Sequence, residues 1–253
     1  MCWECKQALL SKHQFRDNKK LKQGHFEMSI RYANFTLISN RCARRRATLC
    51  PLAKCYVHGG TMNIGIYIYD GAEVLDFAGP FEVFSTAKRL GASEWNIFLI
   101  AEALTTVTAR GGFNVVPKYS LDDHPKIDVL IIAGGIHREE MLNSNVIAWV
   151  KSVNEQAMYV ASVCTGVFIL ANTGLLSGLP VTTHWEDMPQ LKQEFSDLAV
   201  LENVRWTKSG KYITSGGISA GIDMSLYLIS LLHSTSLAEL VAHQMEYSWQ
   251  KCT

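Results

Sequence analysis

One cysteine stands where chemistry is expected. Cys164 lies in "YVASVCTGVFILANTG", at the join between an apolar strand-like run and an apolar helix-like run. A residue forced into a tight strand-to-helix turn projects its side chain outward and meets the N–H groups of the incoming helix, as serine nucleophiles do on their elbows. Those N–H groups and the positive helix end favour thiolate over thiol and lower the cysteine pKa. Gly166 allows close approach. The other reading is a small buried hydrophobe, since free cysteine is often fully buried. Taken alone, the spacing leaves both open.

Asp76 sits inside "VLDFAGPFEVF", where an ionised carboxylate is costly unless paired or hydrogen-bonded. It either caps the helix that follows, or shares an apolar cleft with the sulfur, keeps a raised pKa and donates a proton. Asp70 and Glu73 read as loop residues. His184 in "TTHWED" reads as a proton carrier or substrate-positioning group, or else as a packed histidine bonded to backbone. Gly216, Gly217 and Gly221 of "GGISAGID" read as turn and close-packing positions, because no Rossmann strand precedes them at phosphate-binding spacing. Asp223 is expected to be structural, and Phe81, Trp185 and Tyr227 to serve core or interface.

The elements that must position these groups begin at Met62. Expected strands are "NIGIYIY", "WNIFLIA", "IDVLIIA", "MYVASV" and a short "PVTTHW", with a hairpin in "VRWTKSGKYITSGG" around Ser209-Gly210. "TTVTARGGFNVVPKYS" supplies short extended pieces. Between the strands come helices: "LDFAGPFEVFSTAKRL", "NSNVIAWVKSVNEQA" with Asn143 to Asn145 as cap positions, "TGVFILANTG", "EDMPQLKQEF", "GIDMSLYLISLLH" and "SLAELVAHQMEYSW". Strands alternating with helices imply an α/β fold with a mostly parallel sheet covered on both faces. Function in such folds gathers beyond the carboxyl ends of the strands. The ends "YDGAEVLD", "AGGIH" and "VCTG" are therefore candidates to converge.

Composition divides the chain. Residues 1–61 carry 12 Lys/Arg against 3 Asp/Glu and five of the seven cysteines, whereas residues 62–253 carry 12 against 20. The first part shows no sustained apolar period and is expected to lie outside the fold, as a tail or an over-extended translation start. Cys2-x-x-Cys5 with Cys42, Cys50, Cys55, His13, His25 and His58 permits a zinc reading, but no second CxxC at finger-like spacing follows. The run "RCARRR" permits phosphate contacts, although a solvated tail is the commoner outcome of such charge. "MCWECKQALLSKHQ" lacks the parts of a signal peptide, and no apolar run spans a bilayer. A cytoplasmic protein is expected, with one domain over 62–250, no membrane association and no nucleic-acid partner.

The pieces "DGAEVLDFAGPFEVF", "VLIIAGG", "ASVCTGVFILANTGLLSG", "VTTHW" and "ITSGGISAGIDMSL" resemble the ThiJ/PfpI superfamily. Its fold is class I glutamine amidotransferase-like, a flavodoxin-like three-layer sandwich with a cysteine nucleophile elbow. More narrowly, "LDFAGPFEVF", "CTG", "TTHW" and "GGISAGID" are similar to isonitrile hydratases and to the ligand-sensing domain of AraC-type regulators. The resemblance implies Cys164 as nucleophile and Asp76 where many relatives place a catalytic glutamate. It puts Thr165 where protease-like and deglycase-like relatives have histidine. That departure counts against papain-like hydrolysis, and the Asp, Cys, Thr set is that of isonitrile hydratases.

The implied reaction adds water to an isonitrile, with Thr165 hydrogen-bonding the acid or the intermediate. Backbone N–H groups near Gly134, Gly135 and Thr165 would form an anion-stabilising pocket, His184 would line the substrate site, and no metal or organic cofactor would be needed. A small-molecule substrate and a homodimer are implied as partners. A glyoxalase- or deglycase-like enzyme and a non-catalytic small-molecule or redox sensor are the rival readings. After "EYSWQKCT" no pair of helix-turn-helix units is expected.

Overall fold

The computed structural model describes residues 61–251; the zinc and arginine-run readings fall outside them. Its main sheet uses β1 (Met62–Tyr67), β2 (Trp95–Ala101), β5 (Tyr119–Ser120), β6 (Val129–Ile132), β7 (Tyr159–Val163), β10 (Trp206–Ser209) and β11 (Tyr212–Ser215). Their order is β10-β11-β7-β6-β1-β2-β5. Every pairing is parallel except the β10–β11 hairpin, which turns at Gly210 with φ 58°. Two small ribbons lie apart: β3 (Val107–Ala109) with β4 (Phe113–Val115), and β8 (Pro180–Val181) with β9 (Ala199–Val200).

The helices are α1 (Val74–Leu90), α2 (Ser144–Gln156), α3 (Gly166–Asn172), α4 (Met188–Glu194), α5 (Ala220–Leu232) and α6 (Thr235–Gln244). The chain leaves β1 toward β2 on one side and leaves β6 toward β7 on the other. Right-handed crossovers therefore put α1 and α2 on opposite faces. The packing agrees: α1, α5 and α6 touch one another over one face, and α2 touches α3 over the other. This is the expected three-layer sandwich. Strands covered on both faces must be apolar throughout, and β6, "VLII", is buried at every residue.

The direction of winding reverses between β1 and β6, which are neighbours. A crevice therefore opens beyond their carboxyl ends, and the loop after β1 crosses it to pair Ala72 with Gly135. Local signals behave as read at α2, where the Asn143 side chain accepts from the Asn145 N–H at 3.1 Å. Two segments differ. "PVTTHW" forms only the two-residue β8 outside the main sheet, and the last helix stops at Gln244. Beyond it Trp249 donates to the Asp223 carbonyl at 3.2 Å, a tertiary contact that replaces the helix. Among the described residues no helix is long and apolar enough to cross a membrane.

Candidate active site

Cys164 follows β7 directly, and its backbone takes φ 54°. For a residue with a side chain that left-handed conformation is uncommon and marks a sharp turn. The turn is clamped from both ends: the Cys164 N–H donates to the carbonyls of Ser215 and Gly216 at 3.2 and 3.3 Å, and its carbonyl accepts from Thr183 Oγ1 at 2.9 Å. Gly166 is obligatory here, since a Cβ would lie 2.4 Å from the Ile132 carbonyl oxygen of β6. The elbow is present.

Asp76 reaches the same place from the first turn of α1. Glu73 holds the N-cap position, so Asp76 is not the cap. Its side chain is fully buried and accepts a hydrogen bond from the Gly134 N–H at 3.1 Å, with the Cys164 thiol and the Ile218 N–H close by. Its Oδ1 has no partner. Pro80, one turn later, has no N–H to give the Asp76 carbonyl. Burial, and then the charge of Glu73, push the Asp76 carboxyl up from 3.8 to about 7. It therefore stays protonated to a pH far above the ordinary carboxylate range.

The sulfur does not behave as expected. Burial, followed by the nearby Asp76 charge, pushes the Cys164 thiol up from 9.0 to about 12, outweighing the hydrogen bonds from the Thr165 and Ile218 N–H groups. The helix it begins is only seven residues long. Desolvation and a like charge exceed what one short helix and two N–H groups return. The resting group is a thiol, and its proton faces a carboxyl oxygen.

Thr165 and Gly135 bond each other. The Thr165 hydroxyl donates to the Gly135 carbonyl at 3.0 Å and accepts from the Gly135 N–H at 2.8 Å, so it does not bond the acid. The expected anion pocket is correspondingly changed. The Gly135 N–H is taken by Thr165 and the Gly134 N–H by Asp76, while the N–H groups that reach the sulfur belong to Thr165 and Ile218. Gly134 matters through its missing side chain: a Cβ would stand 2.8 Å from Asp76 Oδ2 and 2.6 Å from the Thr165 nitrogen.

A cavity of about 460 Å³ opens at the sulfur. His184 lines it together with Glu73, Arg110, His137 and Ile218. The His184 ring lies near two carboxylates. Its Nδ1 is 3.4 Å from Asp187 Oδ2 and 3.9 Å from Glu186 Oε2, and its ring fills the space a Gly217 side chain would need. Trp185 is 71% exposed and belongs to neither core nor sheet, whereas Tyr227 stacks on Trp206 with ring centroids 3.9 Å apart. Asp223 is structural, buried against Arg205 at 2.5 Å. Among the described residues no group of three His, Cys, Asp or Glu side chains is placed to hold a metal ion.

Three wall residues escape a sequence reading. Ile218 has φ 53°, which its own residue type disfavours; only the preceding glycine pair hints at a special turn. His137 closes "AGGIH", with Nδ1 3.3 Å from the Gly135 carbonyl oxygen and Nε2 buried without a partner. Arg110 pairs with Glu73 at 3.0 Å across the mouth, a contact that links two separate loops.

A parallel α/β sandwich with a cysteine elbow beside a buried acid at its switch point defines the architecture. Residues 62–231 match the DJ-1/PfpI family, and the chain belongs to it. It is 31% identical over 188 residues to isonitrile hydratase of Pseudomonas putida, covering 74% of this chain and 79% of that protein. A THiJ/PfpI family protein from Pseudomonas syringae has a crystal structure similar at TM-score 0.68 and 28% identity, over 75% of this chain and 76% of that one. The HTH-type transcriptional regulator GbdR of Pseudomonas aeruginosa is 25% identical over 73% of this chain, which spans half of that regulator's length.

Proposed function

We propose that this protein is an isonitrile hydratase-like enzyme that adds water to R–N≡C to give an N-substituted formamide. The observation that carries the reading is the Cys164 sulfur beside the fully buried Asp76 carboxyl, with the sulfur at an open cavity. The likeness to the P. putida enzyme supports it.

The active pair holds one proton. As Asp76 carboxylate takes the thiol proton, sulfur attacks the terminal isonitrile carbon, and Asp76 delivers that proton to the same carbon. The product is a thioimidate, R–N=CH–S–Cys164. Asp76 then takes a proton from water as the oxygen adds to this carbon, and passes it to nitrogen. Collapse breaks the C–S bond, returns the remaining hydroxyl proton to sulfur through Asp76 and releases R–NH–CHO. Atoms and protons balance without an oxidant or cofactor. Thr165 acts as a positioning residue that fixes Gly135, and its N–H steadies the sulfur as charge develops.

The reading carries with it a homodimeric cytoplasmic enzyme whose partner is a small molecule. The test is formamide formation by the full chain from methyl isonitrile, measured beside Cys164→Ala and Asp76→Asn. Product from the parent and none from either variant is expected. Because an Asp76 protonated in the free enzyme cannot accept the thiol proton, kcat/KM should fall as pH drops through about 7. Turnover of methylglyoxal in place of isonitrile would move the reading to a glyoxalase-like enzyme. Ligand binding without turnover, indifferent to loss of the sulfur, would move it to a sensor.

A further inference from the structure

A second hollow of about 760 Å³ adjoins the cysteine cavity, and His184 and Ile218 line both. The two therefore lie on either side of that pair. The outer hollow is within the size range of small-molecule sites. Its wall carries Trp185, 71% exposed, beside Met188, Pro189 and Val204.

The charges of this hollow are already matched. Lys192 pairs with Glu202, and Arg205 pairs with Asp223 at 2.5 Å. A ligand there meets cations that are already paired, and a wall shared between polar groups such as Asn203 and Ser219 and apolar ones. An exposed indole is the largest apolar surface the site presents.

Resting on the isonitrile reading, we infer that the substrate is an isonitrile with a bulky aromatic R group, and that Trp185 is its specificity-determining contact. The –N≡C head reaches Cys164 in the inner cavity. The R group passes between His184 and Ile218 and lies against the indole. Loss of the ring removes apolar contact worth about a tenfold preference or more.

The experiment measures kcat/KM for benzyl and methyl isonitrile in the full chain and in Trp185→Ala and Trp185→Phe, and separately the affinity for N-benzylformamide. The benzyl-to-methyl ratio should fall at least tenfold in the alanine variant and return in the phenylalanine variant, with weaker N-benzylformamide binding only in the former. A ratio within twofold of the parent in both variants overturns the inference while leaving the reaction intact. If no isonitrile turns over, the reaction fails. N-benzylformamide binding weakened by Trp185→Ala then still supports the contact, and binding equal in parent and variant sinks it.

Discussion

Cys164 and Ile218 both hold left-handed backbone, φ 54° and 53°, and the N–H of the second reaches the sulfur of the first. Two left-handed residues thus border the reacting atom, and Asp76 lies close to both. Strain of about 1–3 kcal/mol per such residue persists only where the surroundings over-determine it. Here the Ser215 and Gly216 carbonyls hold Cys164.

This arrangement predicts an unreactive resting sulfur. A thiol pushed up to about 12 carries little thiolate at neutral pH. Alkylation by iodoacetamide, followed by mass spectrometry on the peptide containing Cys164, should be slow at pH 7 and still rising at pH 9. Asp76→Asn removes the negative charge that raises the thiol, while burial remains. The variant should alkylate about tenfold faster at pH 9, one decade of thiolate per unit of pKa. A fast parent rate that is flat from pH 6 to 8 would mean a standing thiolate and refute the thiol–carboxyl pair.

Asp76 also sets a pH dependence of stability. Its carboxyl titrates near 3.8 when unfolded and near 7 when folded. Between those values the native state binds the extra proton, so stability falls as pH rises through the window and is flat above it. At roughly 1.4 kcal/mol per unit the loss is about 4 kcal/mol at most. Asp76→Asn should abolish it. Urea unfolding from pH 4 to 8 should show the variant gaining on the parent as pH rises, and parallel curves would contradict the raised carboxyl.

What could be read in advance follows the range of the interaction. Glycine and apolar period act locally, so the β7 elbow, the Ser209-Gly210 hairpin and the Asn143 cap were legible in "VCTG", "SGK" and "NSN". The acid state of Asp76 was legible because an apolar run around a carboxylate already implies burial. The thiol state of Cys164 was not, since it depends first on burial by the assembled fold and then on a carboxyl 88 positions away in the chain, brought close by the parallel order of β1, β6 and β7. Thr165 misled for a similar reason. Its hydroxyl is captured by Gly135, a partner on another strand end. Trp185 resembles a core residue by type, and only the shortness of β8 puts it at the rim.

Gly134 separates the acid from the elbow by having no side chain. Its backbone is not left-handed, so Gly134→Ala tests contact alone. The added methyl carbon would stand 2.6 Å from the Thr165 nitrogen and 2.8 Å from Asp76 Oδ2, and neither can yield without moving the elbow or the first turn of α1. Overpacking of this kind costs about 1–3 kcal/mol. A melting curve should show that loss, and turnover should fall by a factor of about one hundred because the thiol–carboxyl contact is displaced. Gly174→Ala, where a Cβ meets nothing within 4 Å but φ is +78°, should lose stability alone.

Arg205 lines the outer hollow and pairs with the buried Asp223 behind it, and the worth of the pair can be measured separately from catalysis. Asp223 is fully buried and also accepts from the Gln250 N–H at 2.9 Å, while the Arg205 side chain is 37% exposed. Removing the cation leaves a buried carboxylate with one backbone donor. The cost for a fully buried pair is about 3–5 kcal/mol, and the exposure of Arg205 reduces it to about 2 kcal/mol. Arg205→Ala should therefore unfold at lower urea. Asp223→Asn added to it should restore part of the loss, because the amide keeps an oxygen for Gln250 without an unpaired charge. A double variant as unstable as the sum of the two single ones would show that the ion pair contributes nothing of its own.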